Sequence, residues 1–165
     1  GTSTKPFEPR TPEEIRAIID PLFEFRRGQL DYRPVLLKIS PDLTRDELDA
    51  IIDILIETPL DGIEAVGGSS AMAREMGCKT GGAMTGGALT ERAIEMVRYI
   101  AEKTEHNYPI IGSGGMMEPE DVKRMLEAGA SLVALNSGLR RNGLRLLTAS
   151  AKLLCKTTNT ETTTK

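Results

Sequence analysis

Stretches in which apolar residues recur every three or four positions alternate along this chain with short, almost wholly apolar runs. That alternation predicts helices interleaved with buried parallel strands. The first helix is expected over Thr11–Arg27, with Thr11 as its cap, Pro12 in its first turn, Glu13 and Glu14 at its positive end, and Ile15, Ile18, Ile19, Leu22 and Phe23 on one stripe. Pro21 falls inside it, where a kink or break is expected. A strand over Val35–Ile39 follows, and Thr44-Arg45-Asp46-Glu47 then reads as a capping box opening a helix that buries Leu48, Ile51, Ile52, Leu55 and Ile56. After a strand over Gly62–Val66 comes a glycine-rich loop from Gly67 to about Leu89, longer than connections in such folds usually are. Disorder between Gly67 and Gly87 is the expectation for that loop without a ligand. The pattern resumes with a helix over Thr90–Thr104, a strand over Pro109–Gly112, a helix over Glu118–Ala128, a strand over Ser131–Asn136 and a last helix near Gly143–Cys155.

Such a series is an α/β fold with a parallel (βα)4 unit, half of the eight units that close a barrel. Residues 1–156 form one domain on this reading, and the polar, low-complexity residues 157–165 form a disordered tail. A four-stranded open sheet leaves two unpaired edges, so a homo-oligomer or a covering second half is expected.

Composition narrows the function classes. The chain of 165 residues carries 21 basic and 24 acidic side chains for a net charge of -3, without a cationic stripe, which argues against a nucleic-acid partner. No apolar run approaches the roughly 20 residues that span a bilayer, and the first residues lack a signal-peptide pattern, so a soluble, cytoplasmic protein is expected. Cys78 and Cys155 stand apart from each other and from the single histidine, His106. Reduced, structurally neutral thiols and no metal site are the expectation.

The chemistry concentrates at Pro109–Gly115, PIIGSGG, where an apolar strand breaks into glycines ahead of a helix. Gly112, Gly114 and Gly115 permit close approach of backbone amides to an anion, which makes this turn a candidate phosphate cradle; plain turn glycines are the alternative. Lys38 stands at the carboxyl end of a strand, where function concentrates in parallel α/β folds, although a solvated lysine is an equal reading.

The stretches RPVLLKISPDLTRDEL, LDGIEAV, TGGAMTGGALTERAIEMVRYIAEKT and YPIIGSGGMMEPEDVKRMLEAGASLVALNSG together resemble the C-terminal half of class 2, quinone-dependent dihydroorotate dehydrogenase. That family consists of FMN oxidoreductases of pyrimidine biosynthesis on a (β/α)8 barrel. The resemblance covers about Arg33 to Gly143. It implies FMN as cofactor and a dihydroorotate-like substrate, with Lys38 beside the flavin pyrimidine, where a positive charge favours the anionic reduced ring. It also implies that Gly86, Gly114, Gly115 and the pair Asn136-Ser137 hold FMN.

Departures from the family pattern are as specific as the matches. Where the family typically has A-T-N-T-T, this chain has Ala65-Val66-Gly67-Gly68-Ser69. Val66 thus takes the place of a flavin-contacting threonine, and Gly67 and Gly68 take the places of the substrate-gripping Asn-Thr pair. Asn136 replaces a tyrosine, and Ala83 replaces a glycine. The family's catalytic serine lies in its N-terminal half, whose only echo here is the opening Gly1–Pro6. Ser3 is the matching base, with an unpinned terminal serine as the alternative. The resemblance therefore implies an FMN oxidoreductase that is inactive as this isolated chain. The alternative is a noncatalytic phosphate- or flavin-binding half-barrel that assembles through its sheet edges.

Overall fold

A computed structural model describes residues 9–79 and 81–161. Its elements run α1 (Pro12–Arg27), β1 (Leu36–Ile39), α2 (Arg45–Glu57), β2 (Gly62–Ala65), α3 (Ser70–Glu75), a 3-10 turn (Gly87–Leu89), α4 (Thr90–Lys103), β3 (Ile110–Gly112), α5 (Pro119–Glu127), β4 (Leu132–Val133), α6 (Ser137–Asn142) and α7 (Leu144–Glu161). The four strands form one parallel sheet in the order β1-β2-β3-β4. Each crossover carries a helix, as parallel pairing requires.

Local sequence accounts for the helix starts. Thr11 and Glu14 close a capping box on α1, and Thr44 and Glu47 close another on α2, so orphan amides at both N-termini find side-chain acceptors. α1 continues through Pro21 without interruption. Pro21 is exposed, and the buried stripe Ile15, Ile19 and Phe23 holds the helix on both sides of it. Ile18 and Leu22, expected in that stripe, lie at its exposed edge.

The core is the helix-facing side of the sheet, Ile39, Ile63, Ala65 and Ile110, packed against Ile51, Ile52 and Leu55 of α2 and Ala93, Met96, Val97 and Ile100 of α4. In α2 the stripe is set one position aside from the expected one: Ile54 is buried and Ile56 is 64% exposed. Both flanks of that helix are apolar in sequence, so packing selects between them. The sheet's other face presents Leu36, Lys38, Glu64, Ile111 and Leu132 in register.

Two further expectations change. β4 is only Leu132–Val133, although Ser131 and Ala134 continue its hydrogen bonding to Ile110 and Gly112. α7 carries helical backbone to Glu161, through residues 157–161 assigned above to a disordered tail. Extending an existing helix gains a hydrogen bond per residue without a nucleation cost, which lets a polar segment continue it. Among the described residues, no helix is long and apolar enough to cross a membrane. Both cysteines are free and exposed.

Candidate functional site

At the carboxyl ends of the strands lies a cleft of about 400 Å3. Its wall brings together Lys38 from β1, Val66, Gly67 and Gly68 after β2, Gly86 before the 3-10 turn, Gly114 and Gly115 after β3, and Asn136 and Ser137 after β4. These positions span a hundred residues of sequence, and the parallel topology gathers them because every βα connection leaves the sheet on the same side. Ser3 lies outside the described residues.

The turn after β3 is shaped by its glycines. Gly114 and Gly115 adopt φ of 109° and 82°, and a Cβ on Gly115 would stand 2.5 Å from the Gly86 carbonyl oxygen and 2.8 Å from the Thr90 amide nitrogen. The loop preceding α4 is thereby pressed against the turn. The Thr90 hydroxyl donates to the Gly115 carbonyl at 2.6 Å and pins the contact. Neither the Gly114 nor the Gly115 amide donates to an acceptor among the described residues. Unused backbone donors beside a cleft are what an anion-binding turn supplies.

Where disorder was expected from its glycines, the long loop after β2 is tied at both of its ends among the described residues. Ser69 and Met84 exchange backbone hydrogen bonds of 2.9 and 2.7 Å. Between them α3 begins at a Ser69 cap, whose hydroxyl accepts from the Met72 amide at 2.9 Å. Asp42 anchors this start by accepting from the Ser69 hydroxyl and, at 2.8 Å, from the Ala71 amide. The Asp42 segment is itself clamped by Arg92, which donates to the carbonyls of Pro41 and Leu43 at 3.2 and 2.9 Å. A carboxylate of the β1–α2 connection, clamped by a guanidinium of α4, thus organises the start of α3 in this loop.

The cleft also contains a charged group that sequence reasoning missed. Lys38 and Glu64 are register partners on β1 and β2, and their Nζ and Oε1 atoms are 2.6 Å apart. Ser113, nearly buried, places its hydroxyl 3.1 Å from the same Glu64 oxygen and 2.8 Å from the Val66 carbonyl. The signal available in sequence was the alternation of LDGIEA, which puts Glu64 on the strand face that Lys38 occupies. At the neighbouring positions, Val66 offers no hydroxyl and Gly67 and Gly68 offer no side chain to a ligand. A Cβ on Gly67 would make only ordinary contacts, 3.6 Å to the Ile39 oxygen and 3.7 Å to Lys38 Cε. On Gly68 it would meet Ala83 Cβ at 2.8 Å and the Met84 oxygen at 3.1 Å. Among the described residues, no group of histidine, cysteine and carboxylate side chains is placed to hold a metal ion.

Comparison with known proteins places this geometry in context. The family model described as dihydroorotate dehydrogenase matches residues 12–154. Relatives named dihydroorotate dehydrogenase (quinone) include those of Christiangramia forsetii, 37% identical over 140 residues, and Nitrosomonas europaea, 36% identical over 133 residues. These matches cover 82% and 77% of this chain but only 40% and 38% of the relatives, so the chain spans about two fifths of their length. Crystal structures of the Eimeria tenella dihydroorotate dehydrogenase, ligand-free and in complex with ferulenol, superpose with a TM-score of 0.80 at 22% and 23% identity. They cover 92% of this chain, and the chain covers 47% and 46% of theirs, so the four-stranded α/β sheet corresponds in fold to about half of such a barrel protein.

Proposed function

From the premise that the chain belongs to the dihydroorotate dehydrogenase family, we propose that its cleft binds FMN and that the chain by itself does not oxidise dihydroorotate. One observation carries the binding reading: Gly86, Gly114, Gly115, Asn136 and Ser137, remote in sequence, converge on one cleft in which the Gly114 and Gly115 amides are unused donors. The donor set fits a phosphate monoester, because backbone amides and the Ser137 hydroxyl bind an anion without burying a fixed countercharge.

FMN, when bound, supplies hydride-accepting redox chemistry. The chain's own contribution is to hold the phosphate at the glycine turn and to place the Lys38–Glu64 pair at the carboxyl ends of β1 and β2. Those two residues are the ionisable side chains lining the cleft among the described residues, and they engage each other. Neither is free to abstract a proton from a substrate, and Ser3, the base the resemblance implies, lies outside the described residues. Bare Gly67 and Gly68 leave the substrate's polar edge without side-chain partners, a loss that weakens discrimination heavily. A cytoplasmic location is part of the same proposal.

The test is to add FMN and then dihydroorotate under anaerobic conditions while following flavin absorbance. Flavin uptake without bleaching is expected. Failure to take up FMN contradicts the binding reading, and bleaching by dihydroorotate contradicts the inactivity.

A second reading rests on a separate observation. Among the described residues, the outer strands β1 and β4 each pair on one side only and expose Leu36 and Leu132, at 41% and 63%. Exposed apolar edge strands invite pairing with another chain, and a second copy whose β1 meets β4 of the first would continue the parallel order.

A further inference from the structure

We propose that Glu64 is a specificity-determining residue of the cleft: by holding the Lys38 ammonium in an ion pair, it makes the carboxyl ends of β1 and β2 favour a neutral ligand edge that donates N–H groups over an anionic edge. The inference rests on the FMN reading, because FMN offers both kinds of edge, neutral when oxidised and anionic when reduced.

The argument begins with register. Lys38 pairs with Glu64 across adjacent parallel strands, so both side chains leave the same face of the sheet, and both line the cleft. Their 2.6 Å separation is a direct charge-assisted hydrogen bond. The two partners are held unequally. The Glu64 side chain is 26% exposed and touches Ser113 as well as Lys38, whereas the Lys38 side chain is 57% exposed and, among the described residues, has Glu64 as its hydrogen-bonding partner. Glu64 is the anchored member, gripped from β1 on one side and from the end of β3 on the other. Lys38 is the member that a ligand could draw away.

A ligand anion at Lys38 would therefore have to displace an anchored carboxylate or lie beside it, and the net charge it meets is near zero instead of +1. A neutral edge with N–H donors meets no such competition, because the Glu64 carboxylate has acceptor positions beyond those used by Lys38 and Ser113. The same lysine without its partner would favour the anionic ring. Glu64 thus sets the preference between the two charge states, and Lys38 sets the capacity for it.

The test compares the affinities of oxidised and reduced FMN for the protein at mildly alkaline pH, where reduced FMN is anionic. Wild-type protein should bind the reduced form no more tightly than the oxidised form. Glu64→Gln, which keeps the shape and a hydrogen bond to Ser113, should shift the ratio toward reduced FMN by about tenfold, a rise of about 30 mV in the bound two-electron potential. Adding Lys38→Met to Glu64→Gln should erase that gain. An unchanged ratio in Glu64→Gln, or a gain that survives loss of Lys38, overturns the proposal and makes the pair a structural tie. Should the variant fail to fold, tighter binding of reduced FMN by wild-type protein would overturn it alone. FMN uptake with an unchanged ratio sinks only this inference, whereas no uptake by either protein sinks the flavin reading and this inference with it.

Discussion

At Gly67 and Gly68 two adjacent glycines stand where the family resemblance implies ligand-gripping side chains, yet their surroundings differ. Gly67 has room for a Cβ at ordinary contact distances, whereas a Cβ on Gly68 collides with Ala83 Cβ and crowds the Met84 carbonyl, which belongs to the Ser69–Met84 bridge. Gly67→Asn should therefore leave stability within about 1 kcal/mol of wild type, while Gly68→Thr should cost roughly 2 kcal/mol through overpacking. Denaturant unfolding of the two variants checks this, and equal costs would contradict the packing described. At this scale the sequence carried the identities of the cleft residues through their resemblance to known motifs. It did not carry the Lys38–Glu64 pair, since an ion pair between strands depends on register, and register is fixed by the whole sheet.

The elements were legible wherever local chemistry decides them. The Thr11 cap of α1, the capping box of α2, the apolar stripe of α4 and the strand-turn-helix around Pro109–Gly115 follow from residues a few positions apart. The anchoring of the loop after β2 at Ser69 and Ala71 was not legible, because it comes from Asp42 and Arg92, distant in sequence, and glycine content is silent about them. The capping boxes also make stability depend on pH. In α2, the Thr44 amide donating to Glu47 holds that carboxyl below the usual carboxylate range, with Arg10 adding a favourable charge, against a smaller opposing effect of burial. Glu14 in α1 is lowered in the same direction by the amides of Arg10 and Thr11. A depressed carboxyl binds fewer protons in the folded state than in the unfolded one, so its contribution is fully present above the unfolded value of about 4.3 and is lost as pH falls through the lower folded value. The melting temperature should therefore fall on acidification below roughly pH 4.5, and Glu47→Gln should make that fall shallower. A melting curve series whose acid slope is identical in wild type and Glu47→Gln would contradict this.

For the whole molecule, the alternation of helical and strand patterns was enough to give a parallel α/β architecture, and it placed the candidate site at the carboxyl ends of the strands. What it did not supply is the register that puts Leu36, Lys38, Glu64, Ile111 and Leu132 on one face of the sheet, opposite the helix-packed core. If a second copy covers that face and the edges, sedimentation should show a dimer that Leu132→Lys on the β4 edge disperses; a monomer at all concentrations contradicts that reading. The central claim, that the glycine turn after β3 is the phosphate corner of an FMN site, is tested most directly by following backbone amide resonances during an FMN titration. The account predicts saturable shifts concentrated at Gly86, Gly114, Gly115 and Ser137, with riboflavin, which lacks the phosphate, failing to reproduce those at Gly114 and Gly115. Shifts centred elsewhere, or no saturable response to FMN, would contradict it.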